Sequence, residues 1–363
     1  MHITLIAGAR PNFMKIAPII HAIHQIQAEG SSLRYSLVHT GQHYDEKMSG
    51  QFFAELEIPE PNENLQAGGG TQAEQTAAIM IRFEKYLETN PTDLVLVVGD
   101  VTSTMACAIV AQKARIKVAH VEGGIRSNDW TMPEEINRLV TDAISDYFFT
   151  TSEVANENLR KIGVKEEKIH FVGNTMIDTL LKQMPRFKKP ELWDKLQLID
   201  KEYLVLTLHR PSNVDEETKL KTLIDQIISS SEDCPIVFPV HPRTAKMIEL
   251  LGISHPRLHM VDSMGYLEFN YLVQRAKLVV TDSGGITEET TVMQVPCMTL
   301  RDTTERPETV TDGTNELVGT DPKEIEKMLK KCFSGNWKTG SLPALWDGKT
   351  AERIVEILTK LNH

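Results

Sequence analysis

Asp282-Ser283-Gly284-Gly285 closes a β-branched run and opens a segment that carries Glu288 and Glu289. At the start of a helix, such residues turn a hydroxyl and unpaired backbone N–H groups outward, a setting that suits a diphosphate. The two glycines let phosphate oxygens approach the backbone, and a carboxylate one turn later accepts hydrogen bonds from a ribose diol. The simpler alternative is an ordinary turn with an N-cap. Arg10 and Lys15 lie at and just inside the start of the first helix, where a cation gains nothing from the helix dipole. An anionic ligand accounts for them, and a solvated basic pair is the alternative. His209-Arg210 and His241-Pro242-Arg243 follow strand-like runs in the same manner and pose the same choice.

A second group of residues suits proton transfer. Asp100, Glu122 and Glu134 fall at or just after strand ends or helix starts in the first half of the chain, so they can share one site. Each also has a plainer reading. Asp100 can cap the helix that begins near Ser103, Glu122 can be a buried charge in need of a partner, and Glu134 can pair with Arg138 at i, i+4. HExxH spacing is absent, so no metal site is expected. Ser283 lacks a GxSxG elbow, which argues against acyl transfer. Gly8 stands alone before Arg10 after the first strand, with neither GxGxxG nor GxxxxGKS/T. Bound nicotinamide and a Walker loop are therefore not expected.

These residues need a scaffold that delivers strand ends to one place. The first half alternates strand-like runs over 3–7, 35–39, 94–98, 118–121 and 147–150 with helical patterns over 13–28, 72–89, 103–114 and 134–145, as a parallel sheet covered on both faces requires. After the charged, proline-flanked stretch 185–201, read as a surface connection, further strands over 203–208, 236–240, 278–281 and 297–300 start a second series. The fold class is therefore α/β, with two Rossmann-like doubly wound domains. Residues 1–170 are expected to carry the acids and 171–350 the anion-binding turns, with a last helix in 351–363 that could pack on the first domain. In open α/β sheets ligands bind beyond the carboxyl ends of the strands, where these polar residues gather.

The whole chain fits this picture. Its 363 residues exceed what one core usually serves. The net charge of −11, without a basic run, makes nucleic acid an unlikely partner. Apolar runs such as 94–98 are strand-sized, so no membrane span is expected, and the opening residues lack the pattern of a signal peptide. A cytoplasmic location follows as an expectation. Cys107, Cys234, Cys297 and Cys332 are widely spaced without a CxxC pair and read as reduced packing residues.

Several stretches together resemble the non-hydrolysing UDP-N-acetylglucosamine 2-epimerases over nearly the whole length. They are Gly8-Ala9-Arg10-Pro11 with Lys15-Ile16-Ala17-Pro18, Gly99-Asp100, His120-Val121-Glu122-Gly123-Gly124-Ile125-Arg126 and Pro133-Glu134-Glu135-Ile136-Asn137-Arg138. In the second half they are 281–286 with Glu288-Glu289, and Arg301-Asp302-Thr303-Thr304-Glu305-Arg306-Pro307-Glu308. The resemblance implies a fold similar to that of two-domain, GT-B-like glycosyltransferases, with an interdomain cleft, UDP held mainly by the C-terminal domain, no cofactor, and a homodimer. It makes Asp100, Glu122 and Glu134 the catalytic carboxylates, supported by Arg138 and His209. Arg10, His241, Phe269, Ser283, Gly284, Gly285, Glu289 and Arg306 would hold the nucleotide and diphosphate, and Lys15 would face the same cleft.

The implied reaction is reversible epimerisation at C2 of a UDP-2-acetamido sugar, by elimination of UDP to a 2-acetamidoglucal and re-addition. In the gluco sugar the C2 hydrogen is anti to the departing UDP, whereas in the manno sugar it lies on the other ring face. Two differently placed carboxyl groups meet that need. Gly41-Gln42-His43-Tyr44-Asp45 and Gly68-Gly69-Gly70-Thr71 depart from the relatives activated by their own substrate, so such activation is not expected. The first of these segments and Asn213-Val214-Asp215 also resemble relatives acting on modified sugars such as UDP-2,3-diacetamido glucuronate, while Arg306-Pro307 favours the N-acetylglucosamine branch. A UDP-sugar glycosyltransferase of the same architecture is a further alternative, although the clustered acids exceed what transfer requires.

Overall fold

Long apolar β-branched runs that are buried on both faces become the central strands of two parallel sheets. The computed structural model describes residues 1–42, 50–240 and 242–361. The chain divides into a first unit of Met1–Thr179 with Ala344–His363 and a second of Leu180–Pro343.

In the first unit, β1 (His2–Ala7), β2 (Arg34–His39), β3 (Glu63–Asn64), β4 (Leu94–Val98), β5 (Lys117–Val121), β6 (Tyr147–Thr150) and β7 (Ile169–Phe171) form one sheet in the order β3-β2-β1-β4-β5-β6-β7. Every pairing is parallel, as in the register Leu5↔Leu37 and Leu5↔Leu96. In the second unit, β8 (Leu204–Thr207), β9 (Ile236–Pro239), β10 (Leu258–Val261), β11 (Leu278–Thr281), β12 (Cys297–Thr299) and β13 (Asn315–Leu317) take the order β10-β9-β8-β11-β12-β13, again all parallel. Both orders reverse direction once, between β1 and β4 and between β8 and β11. Such switch points open a crevice at the carboxyl ends of the strands.

Four strands escape the sequence reading: β3, β7, β10 and β13. They are the four sheet edges. Each is short and, except for Asn315, built from partly or fully exposed residues, so the apolar run that marks a central strand is missing. The stretch 185–201, read as a connection, lies within the second unit. There Trp193 of the helix Glu191–Lys195 stands edge-on to Tyr203 and Tyr271.

The last helix, Thr350–Lys360, returns to the first unit and packs on the helix Arg10–Ala28. Its buried Ala351, Ile354, Val355 and Leu358 recur at three- and four-residue spacing. Asp178 accepts the Thr350 and Ala351 N–H groups at 3.2 and 2.7 Å, filling the role of a cap. Gly173 (φ 102°) lets the Leu345 carbonyl come so close that a Cβ there would lie 2.3 Å from its oxygen. No described helix is long and apolar enough to cross a membrane, and all four cysteines are buried and free.

Candidate active site

Asn12 organises the end of β1: its Oδ1 accepts the Gly8 and Ala9 N–H groups at 3.1 and 2.9 Å, and its Nδ2 donates to the Val98 carbonyl at 3.2 Å. The helix start is thereby tied to β4. Arg10, its first residue, is exposed, and Lys15 lies one turn further in. Lys15 Nζ donates to Glu122 Oε2 at 2.7 Å, with the two side chains 14% and 3% exposed. Burial of this order leaves an ion pair little screened by solvent. Glu122 follows β5 with φ 70°, a left-handed conformation that costs a residue with a Cβ roughly 1–2 kcal/mol. Such strain gathers at functional turns.

Gly99 also has a φ of 70°, and a Cβ there would lie 3.2 Å from Lys15 Nζ and 3.8 Å from Glu122 Oε2. The Gly99-Asp100 turn therefore lies against the Lys15–Glu122 pair. Asp100 does not cap the helix Thr102–Lys113. Its carboxylate instead accepts Arg138 Nε at 3.1 Å and Nη2 at 2.5 Å, while Asn137 holds the Asp100 carbonyl at 2.8 Å. Arg138 also donates to Glu135 Oε2 at 2.7 Å, and Glu135 in turn accepts the Ser127 and Asn128 N–H groups. Burial works against charge on Glu135, but Ser127 and Arg138 outweigh it and hold the carboxyl below its ordinary range. The i, i+4 pair between Glu134 and Arg138 is not among the ion pairs of the described residues, because the guanidinium is turned toward Asp100 and Glu135. Glu134 itself is half-buried at the start of the helix Pro133–Ile144.

In the second unit, Asp282 is fully buried at the end of β11 and reaches across the switch point. It takes the His209 and Arg210 N–H groups at 3.1 and 3.0 Å, Asn213 Nδ2 at 3.1 Å and His209 Nδ1 at 2.7 Å. Burial pushes the Asp282 carboxyl up, but His209, Arg210 and Asn213 outweigh it and hold it below its ordinary range. The His209 side chain is 62% exposed, so Asp282 orients a ring that still meets solvent. Ser283 precedes the helix Gly284–Val292, and its hydroxyl makes no cap bond. A Cβ on Gly285 would meet open space, whereas one on Gly284 would lie 2.5 Å from Glu305 Oε1. Glu305 is held by Arg301 Nη2 at 2.6 Å.

Arg306 Nε donates to Glu288 Oε1 at 2.5 Å, and both side chains are buried. Burial pushes the Glu289 carboxyl up to about 7, with Glu288 adding to the rise and the polar side chains of Tyr266 and Asn270 opposing it. Burial likewise raises Glu308 to about 7 against the pull of Arg306, and neither Glu308 oxygen has a hydrogen-bond partner among the described residues. Phe269 is half-buried on the helix Tyr266–Arg275, against the core that contains Tyr203 and Val205. His241 and His43-Tyr44-Asp45 lie outside the described residues. No three His, Cys, Asp or Glu side chains among the described residues are grouped to hold a metal ion.

The protein-family model described as UDP-N-acetylglucosamine 2-epimerase matches residues 24–359. The chain belongs to this family. It is 43% identical to the UDP-N-acetylglucosamine 2-epimerase of Methanocaldococcus jannaschii, over 99% of each chain. Against a crystal structure of the M. jannaschii enzyme in complex with UDP-GlcNAc and UDP, the TM-score is 0.86 at 42% identity, covering 99% of this chain and 100% of that one. It is also 38% identical to the UDP-2,3-diacetamido-2,3-dideoxy-D-glucuronate 2-epimerase of Pseudomonas aeruginosa, over 99% of this chain and 100% of the other. The two parallel-sheet α/β domains are those of the GT-B-like fold of known 2-epimerases.

Asn12 and Asp142 are absent from the residues singled out in the sequence, and His120, Glu135, Glu288, Glu305 and Glu308 stand there only within longer stretches without an assigned role, although the structure ties all of them to that set. The one available signal was polar residues inside apolar patterns, such as His120 in Val-Ala-His-Val. That signal marks a buried polar group but not its partner.

Proposed function

We propose that this chain is an isomerase that interconverts UDP-N-acetylglucosamine and UDP-N-acetylmannosamine without a cofactor. The observation that carries the reading is the set of acids at the carboxyl ends of β4 and β5 and at the helix that follows, each in a different setting. Glu122 is paired with Lys15, Asp100 is bridged to Arg138, and Glu134 is half-buried. Unequal surroundings let one carboxylate remove a proton while another returns it.

In the forward direction a carboxylate takes the C2 proton, the C2–H electrons form the C1=C2 bond of a 2-acetamidoglucal, and the C1–O electrons leave with UDP. UDP then adds back to C1, and a second acid delivers a proton to C2 from the opposite face. Asp100, Glu122 and Glu134 form the acid–base set, with Arg138 and His209 in support. Arg10, Lys15, His241, Phe269, Ser283, Gly284, Gly285, Glu289 and Arg306 hold the nucleotide. Negative charge builds on UDP as C1–O breaks, and the helix start at Ser283-Gly284-Gly285, open at Gly285, with Arg306 suits that charge. The similarity to the P. aeruginosa enzyme supports a second reading, in which the sugar is a UDP-2,3-diacetamido glucuronate. The family further supports a cytoplasmic homodimer, and light scattering on the eluting protein should return twice the 40.9 kDa chain mass.

The deciding experiment incubates the protein with each UDP-sugar in D2O, without an acceptor, and follows the C2 proton by NMR. Deuterium at C2 together with a new epimer is the expected outcome, and the sugar that turns over selects between the two readings. Bound sugars that show neither exchange nor a new epimer would defeat both.

A further inference from the structure

His120 interrupts the buried run of β5 and has no exposed surface. Its Nδ1 lies 2.7 Å from Asp142 Oδ1, and its Nε2 lies 2.9 Å from the Gly99 carbonyl oxygen. A carbonyl only accepts. Asp142, 2% exposed, receives the Gly124 N–H at 3.0 Å and Arg126 Nη1 at 2.6 Å on its other oxygen. Burial opposes charge on Asp142, yet His120 and Arg126 together keep its carboxyl below the ordinary range, so it too is an acceptor. Both ring nitrogens thus face oxygen acceptors, Asp142 Oδ1 and the Gly99 carbonyl. A neutral ring would turn a lone pair toward an acceptor inside the core and leave it unmet.

We propose that His120 and Asp142 are positioning residues for the acid–base chemistry, a buried imidazolium–carboxylate pair that locks the Gly99-Asp100 turn to the Glu122–Gly124 turn. The proposal rests on the epimerase reading. On one side, His120 holds the carbonyl of Gly99, and the next residue is Asp100. On the other, Asp142 holds Gly124 and Arg126, just beyond the left-handed Glu122. Asp142 also lies one helical turn after Arg138 and Asn137, which hold the carboxylate and carbonyl of Asp100. The helix Pro133–Ile144 thus bears on the position of two reacting acids, with Asp142 reaching the Glu122–Gly124 turn directly and the Gly99-Asp100 turn through His120.

Neither residue touches the reacting carboxylates, so the pair acts through backbone placement. A shift of about 1 Å in a reacting group is worth about 100-fold in rate. UDP affinity depends on other groups. The effect should therefore fall on kcat and on the fate of the intermediate.

The test uses the full-length protein, with Asp142→Asn and His120→Gln. We expect either variant to lower kcat about 100-fold while KM and calorimetric UDP affinity stay within about threefold, and to release more free UDP and glucal per turnover. A variant that binds UDP normally and turns over within about threefold of wild type would overturn the proposal. Wild-type protein with 15N-labelled histidine supplies a readout independent of folding in the variants. The His120 signals, assigned by their loss in His120→Gln or by through-bond correlation, should show a slowly exchanging proton on each ring nitrogen. An unprotonated ring nitrogen would overturn the pair whatever the kinetics. Failure of the wild type to epimerise any UDP-sugar would instead defeat the functional reading and leave the NMR result to decide on the pair.

Discussion

The first unit surrounds its strand-end and helix carboxylates with partners: Lys15 on Glu122, Arg138 on Asp100 and Glu135, and His120 with Arg126 on Asp142. The second unit places an open helix start beside carboxyls that burial drives toward their neutral forms, with Glu289 and Glu308 both raised to about 7. The sheets share a strand order around the switch point, so the difference lies in the side chains mounted there. Charged, positioned carboxylates suit proton transfer, while outward backbone N–H groups at a helix start suit an incoming anion. The same backbone geometry thus serves two tasks through the choice of what is paired and what is desolvated.

Removing an acid from the first unit should give the largest effect. Glu122→Gln or Glu134→Gln is expected to lower epimerisation by about 100-fold or more, since a general acid or base contributes roughly 10²–10⁴, with calorimetric UDP affinity nearly unchanged. Parallel loss of UDP affinity would break the proposed division of labour. Full turnover would show that the residue only packs or pairs.

Next in size is the guanidinium of the second unit. Arg306→Ala should weaken UDP binding by about 10- to 100-fold, as a charge-assisted hydrogen bond of roughly 1.5–3 kcal/mol implies. That substitution also strands buried Glu288, so the double variant with Glu288→Gln sharpens the test. Recovery of thermal stability without recovery of UDP affinity is the expected pattern. Wild-type affinity in either folded variant would remove Arg306 from the site.

The raised carboxyls lead to a stability prediction. The Glu308 pKa is about 7 in the folded chain against the ordinary 4.5, so the folded state holds the proton that the unfolded chain releases between those values. The corresponding stabilisation is complete below about 4.5 and is lost as pH rises through about 7, a difference on the order of 3 kcal/mol. Glu308→Gln should therefore raise the Tm at pH 8 and flatten its dependence on pH. An unchanged pH profile of thermal unfolding would show that Glu308 is not desolvated in solution.

The smallest effect concerns the proposed ribose contact. Uridine carries no phosphate to titrate, so its affinity reports on Glu289 more directly than that of UDP. If the carboxylate accepts the ribose hydroxyls, uridine should bind severalfold more tightly at pH 8 than at pH 6, as Glu289 ionises near 7. Glu289→Gln should remove that slope, and a wild-type slope that survives the substitution would assign it to another group.

The central strands, the two doubly wound series and the strand-end residues were all legible in the sequence, because strands buried on both faces must be written as continuous apolar runs. A polar residue directly after such a run is conspicuous. The edges β3, β7, β10 and β13 were not legible, since a strand covered on one side and partly exposed needs no such run. Residue types also identified Asp100, Glu122 and Glu134 as acids and Ser283-Gly284-Gly285 as an open helix start. Partner choice was decided only by tertiary structure. Arg138 has Glu134 and Glu135 within reach along its own helix, yet it bridges Glu135 to Asp100, which is 38 residues away. Lys15 meets Glu122 across 107 residues, and Asp282 orients His209 across the switch point of the second sheet. Spacing along a chain constrains neighbours on one element, whereas a buried charge is satisfied by whichever donor the packing of separate elements brings to it.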